Sequence, residues 1–368
     1  MERPQGPGCR PLSLLLGLSL LALLAFALRA YRIDWQSIWV DENFTIFLSS
    51  QDIASITRIT SGDVHPPLYY YIVHFWILLT GQSEYALRFA SLFFSVLLVP
   101  LTYRLGARLL GKGVGATAAV LTAIAPFQVY YGQEARMYSL IAFLSLTSMC
   151  AFTEVGGFGL AGPEAKRYSK RSVLYWCALV LSSAALLYVH YFGLLVIFLQ
   201  NAIVVLTRLR RTSFLLKWLL SQACVAVIFA PWAMVMLRVY ATNDEPWRRH
   251  IPLLPMMQEI MINLSIGQSV EGALSIPLAA GFFLSILVGA TALAIKRGSR
   301  QTLLLLAVYL FSPILVAYLI SFDKPIYGGS RYFLFVAPAF YLLISSGINA
   351  LRARWLPLSL ALLALLTV

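Results

Sequence analysis

Apolar runs long enough to cross a bilayer recur from one end of this sequence to the other, and nothing constrains the fold more. A spanning helix needs about 20 predominantly apolar residues. Leu12–Ala30 is the first such run. Others follow at 84–103, 114–131, 137–153, 172–189, 191–207, 214–237, 275–295, 302–321, 332–351 and 356–368. In lipid every backbone polar group must be satisfied within the protein, and runs of this length do so as helices. The chain therefore reads as all-α, a polytopic membrane protein with about 11 transmembrane helices. The composition agrees: 60% of the 368 residues are hydrophobic and 12% charged, whereas a soluble domain carries about 25% charged residues. This excludes an ordinary soluble fold and a disordered chain. The four cysteines, at 9, 150, 177 and 224, form no CxxC pair, so neither a disulfide scaffold nor a thiolate metal site is expected.

The net charge is +13, which in a soluble protein would point to nucleic acid. Its placement along the chain gives a different account. Leu12–Ala30 is longer than a signal-peptide core, and Arg29, Tyr31 and Arg32 stand where a small-residue cleavage site would be; it reads as the first span. Leu68–Thr80 has only 13 residues and carries Tyr69, Tyr70, Tyr71, His74 and Trp76. It is too short to span and rich in aromatics that favour the membrane interface. With that segment interfacial and the N-terminus inside, the connections alternate. The inner ones hold 18 of the 28 Lys and Arg residues, among them Arg104/Arg108/Lys112 and Arg208/Arg210/Arg211. The outer ones and the outer span mouths hold 12 of the 15 acids. This is the positive-inside pattern, and no nucleic-acid partner is needed to explain the charge. A single transmembrane domain over residues 1–368 is expected, with external loops at 31–83 and 238–274 carrying interfacial helices, the second of them near 253–264. The last run is short, so the chain reads as ending within its final helix, without a soluble C-terminal domain.

Five external connections hold residues that can carry chemistry. Trp39-Val40-Asp41-Glu42 puts two carboxylates just past the first span; one could act as a general base or ligate a cation, or both could serve a short helix. His65-Pro66-Pro67 fixes an extended entry to the Leu68–Thr80 helix. Gln133-Glu134-Ala135-Arg136 sits between two apolar spans, where charge is costly and marks either function or an ion pair, with each other or with Glu84 and Arg88. His190 occupies another corner. Arg331-Tyr332 follows Gly328-Gly329-Ser330, and an Arg there could grip a phosphate or snorkel to the interface. Each signal alone has an ordinary structural reading. Together they point to one external pocket, acidic in one part and basic in another. No P-loop and no GxGxxG is present.

In order along the chain, WVDENFT, HPPLYYYIVHFW, G-x-SEYALRFAS, AP-x-x-x-YYGQEARMYSL, VHYFG and RYFL-x-x-x-P resemble the GT-C glycosyltransferases. The resemblance is strongest to the dolichyl-phosphate-mannose protein mannosyltransferases and their bacterial aminoarabinose-transferase-like relatives, and runs from about Arg29 to Leu351. It implies a GT-C fold and a membrane enzyme that transfers a sugar (mannose, another hexose or a pentose) from a polyprenyl-phosphate carrier, with inversion. The acceptor would be a protein, lipid or glycan on the extracytoplasmic face of the plasma membrane, the inner membrane in a bacterium. By the same resemblance Asp41 and Glu42 are catalytic. His65, Tyr69, Glu134, Arg136 and His190 bind substrate or acceptor, and Arg331 and Tyr332 meet the carrier phosphate. Metal dependence stays open, with Asp41 and Glu134 as ligands of a divalent cation if one is used. The competing reading is a transporter or flippase of lipid-linked sugars, using the same pocket without chemistry.

Overall fold

The computed structural model describes residues 10–159, 172–242, 249–268, 275–296 and 298–352. In chain order the helices are α1 (Arg10–Ala30), α2 (Val40–Ser49), α3 (Ile53–Thr60), α4 (Leu68–Thr80), α5 (Glu84–Leu109), α6 (Lys112–Ile124), α7 (Pro126–Gly132), α8 (Tyr138–Val155), α9 (Ser172–Val189), α10 (Gly193–Arg208), α11 (Thr212–Thr242), α12 (Leu253–Ile266), α13 (Ser275–Ile295), α14 (Arg300–Ile320) and α15 (Ala337–Arg352). A 3₁₀ stretch, Ser330–Val336, leads directly into α15. No strand occurs among the described residues.

Among the described residues, seven helices are long and apolar enough to cross a membrane, and eight if the bent pair α6–α7 is one span. The chain is an integral multi-pass membrane protein. The expected count of 11 is not confirmed among the described residues. Helices stand at ten of the eleven expected runs, but Gly193–Arg208 is only 16 residues long, and the described apolar part of α13, Ala279–Ile295, also falls short. The eleventh run, 356–368, lies outside the described residues. Leu68–Thr80 is a separate 13-residue helix, as its length required.

The most enclosed span is Ser330–Arg352, 83% buried, and the most peripheral is α1, at 11%. Between helices in lipid, close backbone approach replaces the hydrophobic drive, so small residues mark the tightest contacts. Gly289 of α13 and Gly347 of α15 face each other in this way: a Cβ on Gly289 would press on the Leu343 carbonyl and the Gly347 amide.

The span read as 114–131 is broken. Pro126 has no N–H to donate to the carbonyl four residues back, and the chain bends by 54° between α6 and α7. The freed carbonyls are taken by Arg29, fully buried at the end of α1. Its guanidinium donates to Thr122 O at 3.1 Å and Ala123 O at 2.8 Å, and to Ser95 Oγ at 2.7 Å. This buried arginine answers a helix break with its own donors. Gln133 Nε2 then donates to Arg29 O and Tyr31 O, at 3.1 and 2.9 Å, which ties the corner after α7 to the end of α1.

Candidate active site

α2 docks on the corner between α7 and α8, and the contact is built from charge. Glu42 is 1% exposed. Its carboxylate accepts two bonds from Arg88 of α5, at 2.8 and 2.7 Å, and a third from the Ala135 amide at 2.8 Å. Arg88 also donates to Ile33 O and Gln36 O, and Glu84 lies 3.9 Å away. Three segments (the loop after α1, the start of α2 and the corner) are thus held by one buried ion pair. The family resemblance pairs Glu42 with Asp41 as catalytic. Its oxygens are already committed, so the geometry makes it part of the frame.

Asp41, one residue earlier, points the other way. It is half-buried, and Oδ2 lies 3.5 Å from Arg331 Nη1. Arg136 approaches the same residue through its backbone, donating to Asp41 O at 3.1 Å. Arg331 packs its guanidinium among the rings of Trp39, Tyr138 and Tyr332, at 5.6, 5.8 and 5.6 Å. Such cages hold a cation without neutralising it.

Glu134 is buried, and among the described residues neither carboxylate oxygen has a hydrogen-bond partner. Burial raises its pKa to about 7, against the opposing pull of Arg331 and Arg136. An unpaired buried carboxylate costs free energy unless it is protonated or meets a ligand. Arg136, also buried, is held charged despite desolvation by the acids and phenols around it.

His65 and His190 meet, with ring centroids 5.5 Å apart. Asp63 Oδ1 accepts from both the His65 amide (2.8 Å) and Nδ1 (2.9 Å). Although burial pushes the Asp63 carboxyl up, the hydrogen bond and charge of His65 hold it below its usual range. His190 Nδ1 accepts from the Phe192 amide at 3.0 Å, so its proton sits on Nε2. Tyr332 stands 5.2 Å from His190 and 5.8 Å from Tyr138, which links the histidines to the Arg331 side. Tyr69 is different. It has no exposed surface; its hydroxyl pairs with Ser91 Oγ at 3.1 Å, and Ser91 in turn donates to Arg136 O at 2.9 Å. The structure places Tyr69, expected at the substrate, beneath Arg136 through Ser91.

The structure brings Asp41, His65, Glu134, Arg136, His190, Arg331 and Tyr332 to one end of the bundle. From His65, His190 and Tyr332 a cavity of about 480 Å³ runs between α10, α11 and the end of α14. Its walls are mainly apolar (Leu194, Leu195, Met236, Val239, Ile320), with Asp323 and Lys324 among the lining residues. A charged head pocket thus adjoins an apolar trough.

No family model matches this sequence, and no curated protein matches it. Solved structures do. ArnT from Cupriavidus metallidurans in the apo state superposes with a TM-score of 0.66 over 95% of this chain and 62% of that one, at 16% identity. The same protein bound to undecaprenyl phosphate gives 0.64, at 17% identity. The archaeal oligosaccharyltransferase AglB from Archaeoglobus fulgidus, in complex with an inhibitory peptide and a dolichol-phosphate, gives 0.62 over 94% of this chain and 51% of that one, at 13% identity. The chain has the GT-C fold. It spans about three-fifths of the length of ArnT and half that of AglB.

Within this GT-C frame the residues present do not make a divalent-cation site. Asp41 and Glu134 share their space with Arg136 and Arg331, and no group of three His, Cys, Asp or Glu that could hold an ion occurs among the described residues. Asp63 and the cage that Trp39 and Tyr138 form around Arg331 join the pocket beyond the expected residues. Asp63-Val64-His65 carries a readable signal, since an Asp two residues before a His can accept its amide. The cage carries none, because its rings come from distant elements.

Proposed function

We propose that this protein is a membrane glycosyltransferase that moves a sugar from a polyprenyl-phosphate carrier to an acceptor hydroxyl on the extracytoplasmic face. The observation that carries this reading is the union of a carboxylate–guanidinium pocket with an apolar trough. A lipid-linked sugar phosphate has those parts in that order. ArnT is seen with undecaprenyl phosphate and AglB with a dolichol-phosphate, and we extend that class of ligand to this chain. Mannose or another hexose is the favoured sugar, a pentose the alternative, and a protein, lipid or glycan the acceptor.

In the proposed mechanism the polyprenyl tail lies in the apolar trough and the phosphate is drawn to Arg331, whose planar fork suits phosphate oxygens. Arg331 then exchanges Asp41 for the phosphate, and the carboxylate becomes available. The acceptor oxygen attacks the anomeric carbon from the face opposite the phosphate, and its proton passes to Asp41 as general base. The bond from the anomeric carbon to the phosphate oxygen breaks, its electron pair leaves with the polyprenyl phosphate, and the configuration inverts. Arg331 stabilises the charge that grows on the leaving oxygen. Glu134 and Arg136 orient the acceptor, and the His65–His190 pair closes the junction between head and tail.

The test offers radiolabelled polyprenyl-phosphate sugar and candidate acceptors to the purified protein in lipid. Asp41→Asn should slow transfer by about 10²–10⁴-fold, the worth of a positioned base, while leaving carrier binding intact. Equal turnover would remove Asp41 from this role. Movement of labelled carrier across the bilayer without transfer would favour a transporter.

A further inference from the structure

Arg331 reaches the pocket from a turn with unusual requirements. Gly329 adopts φ +111°, a left-handed conformation that glycine takes without strain. Gly328 lies against the Tyr332 ring, where a Cβ would collide. A Gly-Gly-Ser turn has little stiffness of its own, yet Arg331 must be aimed at a phosphate. The stiffness comes from α12, a helix that contributes nothing directly to the pocket. Glu259 Oε1 accepts the Ser330 amide at 3.1 Å, and Asn263 Nδ2 donates to Ser330 Oγ at 2.6 Å. Glu259 and Asn263 are four residues apart and so share one face of α12. Ser330, 2% exposed, is thus gripped at its backbone and its side chain from a single helix face.

α12 is itself fixed. Tyr341 of α15 donates to Leu264 O at 3.2 Å. Just past its end, Gln268 Nε2 donates to Tyr131 OH at 2.9 Å, and Gly267 rests on Pro126 so closely that a Cβ would lie 2.8 Å from the proline ring. The helix that grips the Arg331 turn is therefore anchored on α7, which leads into the Glu134–Arg136 corner.

We infer that Glu259 and Asn263 are positioning residues that aim Arg331 at the carrier phosphate by clamping Ser330, an inference that rests on the proposed lipid-phosphate donor. Neither touches the donor. Both act through the direction of the Arg331 side chain, so their loss should weaken phosphate recognition ahead of the chemical step.

The experiment measures binding of undecaprenyl phosphate to the purified full chain in nanodiscs, with undecaprenol as the tail-only control and thermal midpoint as the control for folding. Arg331→Ala should lose the preference for phosphate over alcohol. Glu259→Ala and Asn263→Ala should each reduce that preference by about tenfold, the usual effect of losing a hydrogen bond to a charged group or leaving a buried one unmade. Glu259→Gln, which keeps an acceptor oxygen, should recover most of the loss. In transfer assays the alanine variants should raise KM for the donor more than they lower kcat. If Arg331→Ala loses the preference while the Glu259 and Asn263 variants match the wild type, the clamp is wrong and the donor reading stands. If wild type and Arg331→Ala bind the phosphate and the alcohol alike, the donor reading itself fails. Should Glu259→Ala not fold, Asn263→Ala and Ser330→Ala carry the test, and unchanged phosphate preference in both would overturn the clamp.

Discussion

Asp41 and Glu42 are neighbours in sequence with opposite environments. One helical step turns Glu42 into a closed set of three hydrogen bonds with Arg88 and the Ala135 amide, and leaves Asp41 half-exposed beside Arg331. Breaking a buried ion pair from one side leaves an uncompensated charge and costs about 3–5 kcal/mol. Glu42→Ala should therefore show a collapsed thermal midpoint and poor recovery of folded protein, while Asp41→Asn keeps its midpoint and loses turnover. Thermal scans of the two variants side by side separate frame from chemistry. Glu134 offers a second residue-scale prediction. Its pKa rises from 4.5 to about 7 on folding, so the folded state binds the proton more tightly than the unfolded chain. The stability it confers is full below about pH 4.5 and is lost as pH rises through about 7. The thermal midpoint of the wild type should fall across that window more steeply than that of Glu134→Gln, and the variant should be the more stable above pH 7. Parallel slopes would show that Glu134 is not held in the protonated form.

At the scale of elements, much of the architecture was legible in the sequence because the dominant force is local. Long apolar runs must be helices in lipid, and a 13-residue run such as Leu68–Thr80 cannot span. The break at Pro126 was not legible. A proline inside an apolar run only bends a helix; whether the bend becomes a corner depends on who takes the freed carbonyls, and here the donor is Arg29, some 90 residues earlier. The candidate site was legible as a set of residue types at one end of the bundle. The division of labour within it, with Glu42 and Tyr69 as frame and Asp63 orienting His65, was not, because it depends on which oxygens are already bonded. Arg29→Ala should destabilise by about 2–5 kcal/mol, the cost of leaving buried carbonyls unpaired. Pro126→Ala restores an amide for Thr122 O and should recover part of that loss in the double variant. Thermal unfolding of the two singles and the double gives the coupling, and strict additivity would show that Arg29 does not act on the break.

Across the whole molecule, the charge asymmetry becomes a statement about orientation. Arg210 lies among the basic connections and Ser50 ends the helix that carries Asp41; both are exposed. With Cys9 and the exposed Cys177 and Cys224 replaced by Ser, Ser50→Cys should react with a membrane-impermeant maleimide added to intact cells. Arg210→Cys should react only after permeabilisation. Labelling in the opposite sense would invert the topology and move the pocket to the other face.

The loose contact between Asp41 and Arg331 has a consequence for the order of events. While the guanidinium lies beside the Asp41 carboxylate, that base is not ready for water or for an acceptor that arrives early. In the proposed mechanism the donor phosphate separates the two. The proposed enzyme would then follow a compulsory order, donor first and acceptor second, and spent carrier would compete with fresh donor for the same arginine.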